Sequence, residues 1–210
     1  EFAELKELLT DEEYKAARRS TQDAHYTSTD VIAGIYTALQ RLGLDQGRIL
    51  EPSTGVGHFL GLLPAELQNL KIMGVELDPI TGAIAKHLYP QADITSGKGF
   101  QEVPLPPDYF DAVIGNPPFG SQKLFDAANP DISKFSIHNY FFAKSILSLR
   151  PGGVLAMVVS NSMLDKAGGK ERAWMADRTN FLGAIRLPND AFKKNAGTEV
   201  TTDIIFLQKR

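Results

Sequence analysis

The chain has 210 residues, 43% hydrophobic and 22% charged, enough for one α/β domain with a full core and too few for two of comfortable size. It contains no cysteine, which excludes disulfides and thiolate metal sites and fits a reducing compartment. A net charge of −3 argues against a self-sufficient nucleic-acid binder, though not against a domain whose grip on nucleic acid comes from another module.

The opening segment, Phe2 to Arg19, sets Phe2, Leu5, Leu8 and Leu9 on one helical face. Residues 1–23 are therefore read as an N-terminal helical segment ahead of a single domain over 24–210. A helix is expected after a Ser28/Thr29/Asp30 cap, running through Val31, Ile35 and Leu39 to a stop at Gly43. Short apolar runs follow at Arg48–Leu50, Lys71–Val75, Ala92–Thr95, Tyr109–Gly115, Gly153–Ser160, Leu182–Leu187 and Thr202–Leu207. Helical stretches lie between several of them, notably Pro79–Leu88 and Ile137–Leu149. This alternation predicts an α/β fold with a mostly parallel seven-stranded sheet and helices on both faces. The segment Pro188–Thr201 lacks a crossover helix, so a hairpin with an antiparallel last strand is expected. Gly120 to about Ser136 reads as one long irregular stretch, a length usual for functional or disordered loops. The longest apolar run, Val154–Val159, is far short of the roughly 20 residues of a membrane span. No charged-then-apolar leader opens the sequence, and the expected compartment is the cytoplasm, with no membrane partner.

Three motifs carry chemistry. Leu50-Glu51-Pro52-Ser53-Thr54-Gly55-Val56-Gly57 ends the first predicted strand, and its two glycines let the backbone turn sharply and approach a ligand. No Gly-Lys-Ser/Thr follows, so it is not a P-loop. Gly74-Val75-Glu76-Leu77-Asp78-Pro79 closes the next strand: Glu76 suits a pair of ribose hydroxyls, while Asp78 suits the cap of the helix that Pro79 begins. Asp93, read as the end of the third strand, is open to two roles, acceptor for an adenine amine or ordinary cap, and Ile94 to packing on the ring.

The third motif is Asn116-Pro117-Pro118-Phe119, after the fourth strand. The amine of adenine is a poor nucleophile because its lone pair is delocalised into the ring. Two acceptors, the Asn116 side-chain oxygen and the Pro117 carbonyl, can draw that nitrogen toward tetrahedral geometry. Consecutive prolines restrict φ and hold those oxygens in place. Phe119 offers a flat face for an extruded base. A rigid surface turn with a buried Phe is the plainer reading of the same four residues.

The order of these elements resembles the adenine-specific DNA methyltransferases, particularly the modification subunits of restriction systems. The resemblance covers roughly residues 24–208 and implies a class I (Rossmann-like) methyltransferase fold, S-adenosylmethionine as cofactor and the N6 amine of a DNA adenine as target. It implies methionine-moiety contacts around Glu51, Pro52, Gly55 and Gly57, ribose contact by Glu76, adenine contact by Asp93 and target-amine contact by Asn116, and Ser53, Leu77 and Ile94 are expected among the cofactor-binding residues beside them. A Tyr/Phe-Thr-Pro-like segment that closes over the cofactor is matched by Tyr26-Thr27-Ser28, with Ser where Pro is usual. Leu149-Arg150-Pro151-Gly152-Gly153-Val154 matches the turn after the catalytic motif. The family generally adds a target-recognition domain, which is expected elsewhere, in a partner or a longer chain like the multi-domain methylases of phages and mobile elements.

Rival readings are a methyltransferase for RNA or a protein glutamine, which share the Asn-Pro-Pro-aromatic turn, and a non-catalytic methyltransferase-like module. A nicotinamide oxidoreductase is disfavoured by Leu60 at the third glycine position. His25, His58, His87 and His138 have no paired ligand spacing, so no metal is expected. Lys166, Lys170, Arg172 and Arg178 are candidates for touching DNA backbone, with a solvated helix as the plain alternative. Trp174, Phe141 and Phe142 read as packing.

Overall fold

A computed structural model describes residues 6–11, 13–14, 27–165, 169–188 and 201–210. Of the expected N-terminal segment, residues 6–8, 11, 13 and 14 are helical with Leu8 exposed, and the rest lies outside the described residues. Apolar side chains at 31, 32, 35, 36 and 39 form one buried stripe on α1 (Thr29–Arg41). Ser28 is its N-cap but makes no side-chain bond to it.

Seven strands follow: β1 (Arg48–Glu51), β2 (Lys71–Glu76), β3 (Asp93–Ser96), β4 (Phe110–Gly115), β5 (Leu149–Ser160), β6 (Thr179–Arg186) and β7 (Thr202–Lys209). They make a single sheet in the order β3-β2-β1-β4-β5-β7-β6. The first five strands are parallel, and β7 runs antiparallel between β5 and β6. The helices are α2 (His58–Gly61), α3 (Pro79–Leu88), α4 (Ile137–Ser148), α5 (Ser162–Asp165) and α6 (Lys170–Ala176).

Strand β5 shows why helices must cover both faces. Its residues 154–159 are all buried, and because successive side chains alternate they feed two cores. Val154, Ala156 and Val158 join Ile32, Ile35, Tyr36 and Leu39 of α1. Leu155, Met157 and Val159 join Tyr140, Phe142 and Ile146 of α4.

Two differences from the sequence reading stand out. Strand β5 begins four residues early, at Leu149, because Gly153 lets two backbones close up. A Cβ there would lie 2.9 Å from the Arg150 carbonyl and 3.0 Å from that of Phe110. The stretch Gly120–Ser136 is not simply irregular. It holds a 3-10 turn, Ile132–Lys134, and buries Ile132 and Asp126. Asp126 accepts from the Tyr140 hydroxyl at 2.5 Å, Asn129 Nδ2 at 3.0 Å and Lys144 Nζ at 3.1 Å, so the loop is nailed to α4 by satisfied polar groups.

Candidate active site

In an open parallel sheet, ligands sit outside the carboxyl ends of the strands where the order reverses. Here β1 is flanked by β2 on one side and β4 on the other, so the reversal falls between β1 and β4. The first and third sequence motifs leave from those two strands.

On the β1 side the chain turns at once. Thr54 N–H donates to the Val75 carbonyl (3.0 Å) and its hydroxyl to the Glu51 carbonyl (3.1 Å). The side chain fits because its neighbour on β2 is Gly74, where a Cβ would come within 2.5 Å of Thr54 Oγ1. Gly55 (φ +59°) and Gly57 (φ +88°) take left-handed backbone that favours glycine. A Cβ on Gly57 would also strike the Tyr89 ring at 2.5 Å.

Glu76 ties this turn to the next. Its Oε2 accepts the Gly55 N–H at 2.8 Å and its Oε1 the Asp78 N–H at 2.9 Å. Burial raises the Glu76 carboxyl above its ordinary value, with those two N–H groups working against the rise. Asp78 caps α3, accepting the Thr81 N–H at 3.1 Å. Glu51, 1% exposed at the end of β1, has an Oε2 with no hydrogen-bond partner. Burial, with the charge of Glu76 adding to it, pushes the Glu51 carboxyl well above the usual range. A buried, unsatisfied acid beside a second acid is a place that a cationic ligand would stabilise.

On the β4 side, Gly115 (φ +149°) turns the chain out of the sheet within van der Waals reach of Pro52 and Glu51, their carbons 3.7 and 3.8 Å from where its Cβ would stand. Ser53 Oγ donates to the Asn116 carbonyl at 3.1 Å and stitches the two turns together across the crevice. Asn116 is half-buried, Pro117 is buried, and Phe119 is half-buried against the α1-side core. The Phe119 ring lies 5.3 Å from that of His138, the second residue of α4.

Of the predicted cofactor residues, Glu51, Pro52, Ser53, Gly55, Gly57 and Glu76 are brought together with Asn116 at this end of the sheet. Leu77 follows Glu76 with its side chain exposed. Thr27 is buried just ahead of α1, and Tyr26 lies outside the described residues. Asp93 requires a correction. It opens β3 rather than closing it, paired with Met73, since the strand continues three residues beyond it to Ser96. Its exposed side chain is three residues upstream of the end that neighbours Glu76, and Ile94 is buried in the α1-side core. The residues at that end are Ser96, paired with Glu76, and the Gly97 turn, whose N–H donates to the Glu76 carbonyl at 2.9 Å.

The basic cluster is partly committed within the fold. Arg172 donates to the Met163 and Leu164 carbonyls, and Arg178 lies over the Trp174 ring at 4.0 Å; Lys166 is outside the described residues. Trp174 packs edge-on against Phe135. Sequence reasoning missed the Ser53–Asn116 bridge, the Asp126–Lys144 pair and the contact of His138 with Phe119. Each joins residues 18 to 63 positions apart and leaves no local pattern. Among the described residues, no helix is long and apolar enough to cross a membrane.

Comparison with known proteins agrees with this architecture. Residues 89–192 match the family model of the Eco57I restriction-modification methylases. The chain is 29% identical over 189 residues to Defense against restriction protein B of Escherichia phage P1, covering 88% of this chain and 8% of that protein. It is 27% identical over 198 residues to the type II methyltransferase M.CvrRI of Paramecium bursaria Chlorella virus XZ-6E, covering 91% of this chain and 50% of that one. This chain thus spans half or less of these relatives. Its fold superposes on the methyltransferase subunit of a type I restriction-modification system from Streptococcus thermophilus with a TM-score of 0.71 at 21% identity, covering 94% of this chain and 48% of the other. The sheet, with its one antiparallel strand inserted before the edge, is that of the class I methyltransferases.

Proposed function

We propose that this chain, a relative of the restriction-modification methylases, is the catalytic domain of an enzyme that transfers a methyl group from S-adenosylmethionine to the N6 amine of adenine in DNA. The observation that carries the reading is the bridge from Ser53 to Asn116, which sets the Asn-Pro-Pro-Phe turn against the glycine turn and Glu51 across the β1–β4 crevice. Methylation of DNA as such is supported by the restriction-modification relatives, and the choice of adenine N6 by the acceptor chemistry of the turn.

The residues of the β1 side fit S-adenosylmethionine. The unpartnered Oε2 of Glu51 suits its ammonium group, and the left-handed Gly55, with nothing within 4 Å of where a Cβ would stand, leaves open backbone in the same turn. Glu76 spends one lone pair of each oxygen on a backbone N–H and keeps others for ribose hydroxyls. When bound, the cofactor supplies a sulfonium-activated methyl group. Asn116 Oδ1 and the Pro117 carbonyl would accept hydrogen bonds from the two N6–H groups and localise the nitrogen lone pair toward the methyl group that the cofactor would supply, and the proton that N6 gives up would pass to water. Phe119 stacks on the base after it leaves the duplex. Positioning supplies most of the rate, so no acid–base triad is required. With a net charge of −3, sequence recognition and most of the phosphate attraction belong to a further module.

Nucleoside mass spectrometry of unmethylated DNA after incubation with the chain and S-adenosylmethionine tests this. N6-methyladenine is expected, and far less of it with Asn116→Ala. Methylcytosine would overturn the choice of base. Product on RNA or on a protein glutamine, with none on DNA even when a recognition module is supplied, would overturn the substrate.

A further inference from the structure

His138 is the least explained polar residue near the site. It is 8% exposed, and neither ring nitrogen has a hydrogen bond of standard geometry. The imidazole lies against Phe119 and Phe142, each ring centre 5.3 Å away, and it faces the Pro118 carbonyl. Burial holds its pKa down at about 4, so the ring is neutral at physiological pH and carries one N–H donor. A buried donor kept without a good acceptor calls for a physical reason, and the acceptor it faces belongs to the Asn-Pro-Pro-Phe turn.

Of the torsions that the turn keeps, this donor can control one. The pyrrolidine rings of Pro117 and Pro118 fix both φ angles. What remains at Pro118 is ψ, which decides where its carbonyl points. That same torsion sets the Phe119 ring relative to the Pro117 carbonyl, which precedes Pro118 by one peptide. Holding the Pro118 carbonyl therefore locks the stacking face and the proposed amine acceptor into one geometry.

We infer that His138 is a positioning residue of the methyl-transfer site, its imidazole N–H gripping the Pro118 carbonyl and thereby setting Phe119 and the Pro117 carbonyl for the target base. The inference deepens the methyltransferase reading and rests on it for its consequence, though the contact of His138 with the turn is a property of the chain alone. On this inference the contact closes to a full hydrogen bond once a base stacks on Phe119.

Two variants separate the grip from packing. His138→Phe keeps an aromatic ring between Phe119 and Phe142 without a donor, and His138→Asn restores an N–H donor without the ring. With bulk unmethylated DNA as substrate, His138→Phe is expected to lower kcat at least tenfold, with KM for S-adenosylmethionine within twofold of wild type, and His138→Asn to recover part of the loss. Independently of activity, the 13C resonance of the Pro118 carbonyl is followed by NMR, with and without S-adenosylhomocysteine and adenosine. It should move upfield in His138→Phe and return toward its original position in His138→Asn. A His138→Phe protein with full kcat, or an unmoved Pro118 carbonyl in both ligand states, overturns the inference. If the wild-type chain leaves DNA unmethylated, the methyltransferase reading fails separately, and the carbonyl resonance still decides whether His138 grips the turn.

Discussion

The two halves of the crevice are organised by different forces. The β1–β2 half is wired electrostatically. One carboxylate, Glu76, gathers the N–H groups of Gly55 and Asp78, and a second, Glu51, is buried unsatisfied beside it. The β4 half is held sterically, by two proline rings, by Phe119 between the core and His138, and by a loop pinned from behind through Asp126 and Lys144. A half built on charge tolerates changes of volume poorly only where glycine is needed, and responds directly to pH. A half built on rings and buried anchors should respond to lost packing and lost ion pairs, with cofactor affinity spared.

The largest effect is expected at the anchor. Lys144 Nζ bonds both Asp126 and the Phe100 carbonyl, and both charged residues are nearly inaccessible to water. Lys144→Met would leave the Asp126 carboxylate buried without its countercharge, at a cost of about 3–5 kcal/mol. Chemical denaturation measures the loss, and hydrogen exchange should show residues 120–136 opening ahead of β1 and β2. The acid response has a defined sign. Burial raises the Asp126 carboxyl, but bonds from Tyr140, Asn129 and Lys144 outweigh it and hold it at about 2. A carboxyl depressed on folding stabilises above its unfolded value of 3.8, and that share is lost as pH falls from there through about 2. Asp126→Asn should flatten this limb of the stability curve; an unchanged limb would mean that other groups set it.

Next comes Asn116→Ala. If the amide oxygen acts only on the reacting amine, kcat should fall by roughly 10²–10³, the usual cost of one such electrostatic contact in a transition state. Calorimetry should find cofactor affinity within about twofold of wild type. A parallel loss of affinity would mean that the two halves are not separable. Gly57→Ala probes the other half by volume. Its Cβ meets the Tyr89 ring at 2.5 Å in a left-handed backbone, so a destabilisation of about 1–3 kcal/mol is expected, together with weaker cofactor binding. Thermal melts with and without S-adenosylhomocysteine separate the two effects.

The same contrast explains what the sequence made legible. Features set by neighbouring residues were readable: the strand–turn glycines, the Asp78 cap, the α3 span of Pro79–Leu88, and the hairpin that makes β7 antiparallel. They follow from local torsions, capping and apolar period. Asp93 was misplaced at the wrong end of its strand, three residues from the edge beside Glu76, because an apolar run marks a strand without marking which of its residues reaches that edge. The steric half was legible only as a motif. Its support comes from residues far away in sequence, His138 behind Phe119 and Lys144 behind Asp126, and an imidazole or ammonium inside a helical run shows no sign of burial until the helix is docked.

The smallest expected effect sharpens the electrostatic side. Glu76→Gln keeps the shape of the side chain but offers a single acceptor oxygen where the carboxylate has two, so either the Gly55 or the Asp78 N–H must face an amide NH2. About tenfold weaker cofactor binding is expected, equivalent to ~1.4 kcal/mol. Acid should act on the wild type in the same direction. Protonated Glu76 also loses an acceptor, and because burial raises its pKa above the ordinary 4.5, affinity should begin to fall at a pH higher than an exposed glutamate would give. Titrating S-adenosylhomocysteine affinity against pH in the two proteins isolates the residue. A slope in wild type that flattens in Glu76→Gln assigns the proton to Glu76. A slope that survives the substitution transfers it to Glu51, whose carboxyl is pushed up further still and which only a bound cation would draw back to the ionised form.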